Sequence, residues 1–267
     1  MRVWWELARR TFRRYSTYRA ATIGGLIPNV VFGYLRAYVL LAVVEQAGAV
    51  GGYDGRDVVT YSFATQALIV PIAIFSAGGS SIDLAERIRT GDVVVDLYRP
   101  IDFQAYWLSQ DLGRAAQGFV TRGLVSFVSG FLVFDLVVPT TLPGAAAAAV
   151  VLVLAVLVSF GFRYLVALGS FWLLDDRGLT LIGGVLAMFL SGFLVPVTFF
   201  PGWLQAVAAA SPFPAMVQLP VEVFLGHHGA GGVARVVATQ LGWFAALVVA
   251  GRALGASAMR KVVVQGG

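Results

Sequence analysis

Side chains that could catalyse a reaction or bind a metal are few in this sequence. Asp92 and Asp96 stand four residues apart, a spacing that on a helix would offer two carboxylates to Mg²⁺. Gly91 and the three valines between the acids argue against a helix there. Residues 175–177, Asp-Asp-Arg, are typical of a solvated turn that caps a helix, and the adjacent histidines at 227–228 point in different directions. We therefore predict no catalytic residue, no metal site and no cofactor in this chain.

Polar residues inside apolar stretches carry more weight, because a charge in lipid is unfavourable unless it faces protein or water. These residues are Asn29, Arg36, Gln66, Arg163 and Gln240. The two arginines are the clearest cases. Each could line a transport pathway or snorkel to a membrane surface, and the sequence leaves both interpretations open.

The sequence also excludes several chemistries. It contains no cysteine, so disulfides, thiolate zinc sites, iron–sulfur clusters and thiol nucleophiles are ruled out. A Walker A motif requires a lysine, and the single lysine, Lys261, lies between Arg260 and Val262, outside any such motif. Any ATP that drives this protein must therefore be bound by another chain.

The composition indicates a membrane protein. Hydrophobic residues make up 58% of the 267 residues and charged residues 12%, whereas a soluble domain is about half apolar and about a quarter charged. A chain of this length could not hide so much apolar surface from water. The net charge of +5 would favour nucleic-acid binding in a soluble protein, but in a membrane protein it reports orientation. We predict an all-α membrane protein that contacts lipid and binds no nucleic acid.

Six apolar runs are long enough to cross the hydrocarbon core as helices, which takes about 20 residues. Polar residues soften the second run, Pro196 interrupts the fifth, and the fourth is longer than a bilayer needs. The six predicted spans are Ala20–Val44, Val58–Gly78, Ala115–Val138, Gly144–Leu174, Leu179–Phe200 and Gly231–Leu254.

Basic residues predict the orientation, since the cytoplasmic loops of membrane proteins are rich in arginine and lysine. With the N-terminus inside, 14 of the 19 basic residues fall on the cytoplasmic side, and the outer loops hold only Arg56 and, at the mouth of the last span, Arg235. Both termini are therefore predicted to be cytoplasmic. The heavy use of alanine, valine, glycine and arginine is typical of a GC-rich genome, so we expect the bacterial cytoplasmic membrane.

Residues 1–19 are predicted to form an amphipathic helix ahead of the membrane domain, residues 20–267. Apolar and aromatic side chains recur at helical spacing, with Glu6, Arg9 and Arg13 on the opposite side. They are Trp4, Leu7, Ala8, Thr11, Phe12, Tyr15 and Tyr18. Such a helix lies in the inner interface with its arginines toward anionic headgroups. It could be a simple anchor or have a mechanical role.

A charged connection follows the second span. It predicts a short helix, Ser81–Thr90, with Asp83 in its first turn, Arg87 and Arg89 in its last turn and Gly91 as its terminator. Asp83 and Arg87 are four residues apart and can pair. This element is either a docking surface for a partner or a solvated loop that turns the chain.

The outer connection between spans five and six contains four prolines. It predicts two short apolar helices, about Gly202–Ala210 and Ala215–Leu225, that dip into the outer leaflet and return. Within span two, Ser62, Thr65 and Gln66 share one helix face. A polar stripe in an apolar span favours a neighbour other than lipid.

Two stretches are similar to sequences of a known family. Residues 87–102 read RIRTGDVVVDLYRPID, and residues 191–196 read SGFLVP, followed by FP at 200–201 and SPF at 211–213. Together with the order of the elements, they resemble the type-2 ABC (ATP-binding cassette) transporter permeases, in particular a bacterial branch of six-span export permeases. The similarity covers nearly the whole chain.

The resemblance implies how such a chain would be driven. The element between spans two and three would be a coupling helix seated in a groove of an ATPase subunit, with the N-terminal helix beside it as a connecting helix. The docking candidates are Asp83, Glu86, Arg87 and Arg89, with Gly91 as the terminator. ATP and Mg²⁺ would be bound by a separate ABC ATPase dimer. Permeases of this kind work in pairs, and the second permease chain is identical or related.

The resemblance also places a substrate path, at the two-fold interface between spans one, two and five. Combined with the polar stripe, this predicts a pathway bordered by residues of spans two and five. They are Ser62, Phe63, Thr65, Gln66, Leu190, Phe193 and Leu194. The predicted function is ATP-driven outward transport of an amphiphilic natural product or lipid-like substrate.

Two other classes of function stay open. A free-standing secondary transporter would need coupling acids at mid-membrane depth, and Asp135, near an end, is the only carboxylate within a predicted span. A membrane enzyme acting on lipid-linked substrates would need acids or histidines clustered at one depth, and the sequence lacks them.

Overall fold

A computed structural model describes residues 2–17, 19–73, 80–173 and 177–259. These residues are largely helical, which confirms the predicted all-α fold class. The α-helices are α1 (Arg2–Ser16), α2 (Arg19–Ala47), α3 (Gly55–Ile72), α4 (Ser80–Thr90), α5 (Val93–Leu97), α6 (Phe103–Gly118), α7 (Leu124–Gly130), α8 (Leu142–Leu168), α9 (Arg177–Leu190), α10 (Gly202–Ala209), α11 (Gln218–Leu225) and α12 (Ala230–Met259).

Three helical stretches of the described chain are long and apolar enough to cross a membrane. They are Thr22–Ala47, Leu142–Phe171 and Ala230–Ala258, and they coincide with the first, fourth and sixth predicted spans. Gly178–Leu190 is a shorter apolar helix at the start of the fifth predicted span. The described chain is therefore a helical protein with three candidate membrane spans, while the count of six spans stays a prediction.

The third predicted span, Ala115–Val138, was placed too late in the chain. The helix begins at Phe103, where the carboxylate of Asp102 caps it by accepting a hydrogen bond from the backbone N–H of Ala105 at 2.7 Å. α6 continues through a π-helical turn, Phe119–Gly123, into α7. Asp111 and Arg114, in the second half of α6, obscured this helix in the sequence, because charges lower the local hydropathy that marks a span.

The predicted short helix after the second span is confirmed as α4. Gly91 follows it with a φ of +83°, the left-handed conformation that glycine adopts without strain, and its N–H donates to the carbonyl of Ile88. The expectation that Asp92–Asp96 is not helical is wrong, since Val93–Leu97 form the single helical turn α5. Part of the predicted second span and the 175–176 acidic pair lie outside the described residues.

The fifth predicted span, Leu179–Phe200, ends earlier than expected because α9 stops at Leu190. Gly192 follows with a φ of +84°. A Cβ atom there would lie 2.5 Å from the Gln218 Oε1 atom and 2.6 Å from the Tyr61 hydroxyl, so only glycine fits this turn. The chain then leaves the helix axis towards the outer segment.

The two outer helices are present as α10 and α11, although α11 begins at Gln218 and not at Ala215. The backbone N–H of Gln218 donates to the carbonyl of Ser191 at 3.0 Å, which ties the start of α11 to the end of α9. The return of these helices through the outer leaflet stays a prediction.

Helix α8 lies at the centre of the fold, in contact with α3, α4, α6, α9, α11 and α12. One buried cluster, which includes Tyr61, Val158 and Met216, packs α3 against α8 and the outer segment. A second cluster, which includes Leu84 and Trp107, packs α4 against α6 and α8. The short charged helix α4 is thereby fixed to the same bundle as the long apolar helices.

The N-terminal amphipathic helix is confirmed as α1, and it packs directly on α6. A Cβ atom added at Gly113 of α6 would lie 2.1 Å from the backbone oxygen of Ala8, so the two helices touch backbone to backbone. Thr11 is buried, whereas Trp5 on the other side is exposed. One face of α1 therefore rests on protein, in addition to any contact with lipid.

Candidate functional site

The predicted coupling element, α4, has an apolar side and a charged side. Leu84 and Ala85 are buried against the bundle, and Ile88 packs on the same cluster. On the other side, the Glu86 and Arg89 side chains are 63% and 49% exposed and lie 4.0 Å apart. α4 thus presents these two charges to the surroundings from a fixed base.

The other charged side chains of α4, Asp83 and Arg87, are about a third exposed and form ion pairs with other parts of the protein. Arg87 Nε donates to Asp96 Oδ2 at 2.5 Å, and Asp96, only 1% exposed, also lies 3.2 Å from Arg99. The predicted Asp83–Arg87 pair is therefore wrong, because Arg87 reaches the acid of α5. These contacts also explain why α5 is helical, since the turn brings Asp96 under Arg87. A carboxylate shared by two guanidinium groups is poorly suited to Mg²⁺.

Asp83 connects α4 to α1. Its Oδ2 lies 3.7 Å from Arg14 Nη1, across two helices that are far apart in the sequence. Burial raises the pKa of the Asp83 carboxyl, and the Arg14 guanidinium acts in the opposite direction. α1, α4 and α6 consequently form one connected block.

Arg36 joins the helices that were predicted to border the pathway. Its Nε donates to Ser62 Oγ at 3.1 Å and its Nη2 to the Ser62 carbonyl at 2.6 Å, while Nη1 donates to the Phe193 carbonyl. The guanidinium also lies over the Phe193 ring, 5.1 Å from the centroid. Arg36 therefore points into the protein, and does not snorkel to the outer surface.

The remaining pathway candidates are also inside the chain. Phe63, Thr65 and Gln66 are buried, and the Phe63 ring stacks edge to face on Tyr34 at 5.0 Å. The Thr65 hydroxyl lies 2.9 Å from the backbone carbonyls of both Tyr61 and Ser62 in its own helix. The polar stripe thus faces protein.

Leu190 and Leu194 are partly buried against the main core cluster. The structure brings the segment after α9 to α3 through Phe193, whose carbonyl accepts from Arg36. The seven predicted pathway residues therefore belong to one region where α2, α3 and the end of α9 meet. Their role in a pathway between two chains stays a prediction.

A buried group of charges lies where α6 meets α3 and α8. Asp111 is completely buried, and its Oδ2 lies 2.6 Å from Arg163 Nη2. Its Oδ1 lies 2.9 Å from Arg114 Nε and 3.1 Å from Arg163 Nη1. Arg163 therefore neither lines an open path nor snorkels, because its guanidinium binds Asp111.

The buried group of charges also provides hydrogen-bond donors for the carbonyls at the end of α3. Arg114 donates to the carbonyls of Val70 at 2.6 Å and Pro71 at 2.8 Å, and Ser159 Oγ donates to the carbonyl of Ile72 at 2.5 Å. The last carbonyls of a helix have no partner within it and carry the negative end of its dipole. A cation from α6 and a hydroxyl from α8 therefore fix the end of α3 that leads to α4.

A polar cluster at the end of the bundle where α11 lies links Tyr53 to this helix. The Tyr53 hydroxyl donates to Glu222 Oε1 at 3.2 Å and accepts from Gln218 Nε2 at 2.9 Å. Burial, reinforced by the Glu222 carboxylate, raises the pKa of Tyr53, so its hydroxyl keeps its proton. The two histidines diverge as predicted: His227 lies 3.1 Å from Asp57 and His228 lies 3.0 Å from Glu222. Within the described ranges, no three acids or histidines converge on a metal position.

Neither of the two polar clusters was predicted from the sequence. Asp111 and Arg114 were assigned to a cytoplasmic loop, and Asp135 to a span. In the structure Asp135 follows α7 with its side chain 80% exposed and pairs with Arg56 at 2.9 Å. The signal for the buried group was the i, i+3 spacing of Asp111 and Arg114 downstream of the capping residue Asp102. The outer cluster had no comparable signal, because Tyr53 and Glu222 are far apart in the sequence.

Comparison with known families finds a match over most of the chain. The model of a family described as ABC-2 family transporter protein matches residues 31–266. This chain therefore belongs to the ABC-2 transporter family, which consists of membrane components of transport systems, and the predicted resemblance is confirmed. A comparison with curated individual proteins finds no match.

Proposed function

We propose that this chain is the membrane-spanning permease subunit of an ATP-driven exporter in the bacterial cytoplasmic membrane. It crosses the membrane six times, with both termini in the cytoplasm. It carries an amphiphilic or lipid-like substrate outward. Support comes from the family membership over residues 31–266, since members of this family normally work with an ATPase partner.

The observation that carries the proposal is the construction of α4. A short helix with a buried apolar side, Leu84 and Ala85, and two outward charges, Glu86 and Arg89, is suited to docking. A loop that merely turns the chain has no need of fixed partners. Here Arg87 is held by Asp96, so the helix is supported from inside while its outer charges stay available.

The ATPase is a separate chain that binds ATP and Mg²⁺, because the sequence contains no Walker A motif. Within the set of docking candidates, Glu86 and Arg89 contact the ATPase. Asp83 and Arg87 position α4 through Arg14 and Asp96, and Gly91 terminates the helix. A second permease chain, identical or related, completes the pathway beside the region where α2, α3 and the end of α9 meet.

The competing classes of function gain no support from the polar residues. A secondary transporter needs an acid that can release its proton during transport. The buried acid of the membrane helices described above, Asp111, is paired with two arginines, Arg114 and Arg163, which stabilise its charged form. A lipid-modifying enzyme needs reactive groups at one depth, and the acids and histidines described above are divided between the two ends of the bundle.

The test is co-purification with an ATPase from cells that carry the native transport system. Arg89→Glu places a negative charge opposite the partner's acidic groups. Like charges facing each other at an interface can cost several kcal/mol of binding free energy. The substitution also opposes the dipole of α4 by about 0.3–1 kcal/mol. About 1.4 kcal/mol changes binding tenfold, so we expect the variant to insert normally and lose the ATPase. Co-purifying chains are identified by mass spectrometry.

A matched control is Arg10→Glu, because the Arg10 side chain is also exposed, at 76%, but belongs to α1. This control should retain the ATPase. If the Arg89 variant retains the ATPase and transport as well as the control does, α4 is not the docking element. If the native chain never co-purifies with a Walker A ATPase, ATP does not drive it.

A further inference from the structure

A cavity of about 570 Å³ lies behind the outer helices, between α10, α11 and the first half of α12. This volume falls within the range of small-molecule sites, about 300–1,000 Å³. Apolar side chains such as Ala209 and Leu219 form part of its wall. Polar side chains form the rest of the wall. The packing of the helices described above leaves this space unfilled. The wall thus combines apolar and polar side chains.

Most of the polar side chains in the wall already donate their N–H or O–H hydrogens to other groups of the protein. Gln205 Nε2 donates to the carbonyls of Thr198 at 3.2 Å and Phe200 at 2.8 Å. Thr239 Oγ1 donates to the carbonyl of Arg235 at 3.0 Å, inside α12.

Ser211 and Gln218 follow the same pattern. Ser211 Oγ donates to the carbonyl of Ala208 at 2.7 Å, and Gln218 Nε2 donates to Tyr53 and Glu222. The oxygens of Gln205, Ser211 and Thr239 keep capacity only as acceptors. The remaining donors of the described wall are the buried Thr198 hydroxyl, which has no hydrogen-bond partner, and the indole N–H of Trp243. Acceptors are therefore in the majority, and they favour a ligand that brings hydrogen-bond donors.

The charge in the cavity is negative. Glu222 lines it, and its Oε1 accepts from Gln218 at 2.6 Å and from Tyr53 at 3.2 Å, both neutral donors. Its Oε2 has one protein neighbour, His228 Nε2 at 3.0 Å, which carries charge only when protonated. Among the described residues, no arginine or lysine forms an ion pair with Glu222. A carboxylate has about four acceptor positions, so Oε2 can accept a further bond from a ligand.

Trp243 adds a surface that suits the same ligand. Its indole lines the cavity from α12, and tryptophan is the aromatic ring that attracts cations most strongly. Acceptors, a carboxylate and an indole together match an ammonium group, which is a cation with donors and no acceptor. The apolar wall beside them matches a hydrocarbon chain.

We propose that this cavity binds an amphiphile with an ammonium head, the head against Glu222 and Trp243 and the chain along Ala209 and Leu219. The site belongs to the outer segment and is distinct from α4. Binding needs neither ATP nor the partner ATPase. It can therefore be tested with the purified chain, whether or not the exporter proposal holds.

The experiment uses the full chain in nanodiscs of digalactosyldiacylglycerol, a lipid whose uncharged sugar head carries no ammonium group, and two probes with the same photoreactive dodecyl chain. One probe ends in an amine, which is charged at pH 7.5, and the other ends in an alcohol. Labelled positions are mapped by mass spectrometry, so that general partitioning into lipid is separated from occupation of the cavity. We expect cavity residues to be labelled by the amine about tenfold or more above the alcohol, because charge-assisted hydrogen bonds are the strong ones.

Two variants and one control decide the result. Glu222→Gln keeps the shape of the side chain and should abolish the preference for the amine. Ala209→Phe leaves the carboxylate in place but fills the cavity, and should reduce labelling by both probes. Glu45→Gln removes a different, exposed acid near the outer end of α2 and should change nothing. Equal labelling by amine and alcohol in the native chain, or a preference that survives Glu222→Gln, would overturn the proposal.

Discussion

Replacing Asp111 with asparagine would test the buried charges at the junction of α3, α6 and α8. The change keeps the shape of the side chain and removes its charge. Arg114 would keep its two bonds to the carbonyls at the end of α3, whereas Arg163 would keep its contact with Ser159 Oγ at 3.2 Å but lose its anion. The Arg163 side chain is 5% exposed, so water cannot replace the carboxylate.

The size of the effect follows from burial. Removing one partner of a buried ion pair costs about 3–5 kcal/mol, because the remaining charge stays desolvated. For a chain of this size, each 1 kcal/mol lowers Tm by about 2–4 °C. We therefore expect Asp111→Asn to lower Tm by about 6–20 °C. Adding Arg163→Met removes the buried charge that Asp111 neutralised and should restore much of this loss.

The assay is thermal unfolding of the purified chain in detergent, followed by tryptophan fluorescence. Asp135→Asn is the matched control, because it breaks the pair with Arg56 at 2.9 Å, in which both side chains are more than half exposed. Exposed pairs contribute about 0–1 kcal/mol. Equal Tm shifts for the two asparagine variants would refute the reasoning, as would a double variant no more stable than Asp111→Asn alone.

Three further outcomes are expected. A cysteine at Asp54 should react with an impermeant maleimide in intact cells while one at Thr90 should not, and labelling of both would contradict the proposed topology. Gly113→Ala should push α1 away from α6, because its Cβ would lie 2.1 Å from the Ala8 oxygen; faster proteolysis of α1 measures this, and an unchanged rate would contradict it. Arg36→Met should lower Tm, since hydrogen bonds to a charged group contribute about 1.5–3 kcal/mol each; a Tm equal to that of the native chain would mean that these bonds do not stabilise the fold.

Helices that are marked by nearby residues, such as capping residues or an apolar stripe, could be predicted from the sequence. α4 has an acid in its first turn, arginines in its last turn and a glycine after it, and each of these acts over a few residues. α1 has an apolar stripe at helical spacing, and α10 begins after a proline. The longest apolar runs are helices because a run of that length needs no partner to identify it.

Features that depend on distant residues could not be predicted. α6 contains Asp111 and Arg114, two charged residues that are typical of a loop when the sequence is considered alone. Their partners, Arg163 and the carbonyls at the end of α3, become neighbours only in the folded chain. Arg87 was expected to pair within α4, but Asp96 is closer once α5 folds under it. The docking charges were identified by type. The sequence could not separate Glu86 and Arg89, which are the more exposed, from Asp83 and Arg87, which pair with other elements.

The contact between α1 and α6 has a consequence for biosynthesis. α1 is translated first, but Gly113, against which Ala8 rests, follows about 100 residues later. At about 5–20 residues per second, α1 waits roughly 5–20 s for its partner. During that time an amphipathic helix can be adsorbed to lipid headgroups. The same apolar stripe can therefore contact lipid in the nascent chain and α6 in the folded protein. α1 can therefore rest on the bilayer surface until α6 is synthesised, and then pack against Gly113.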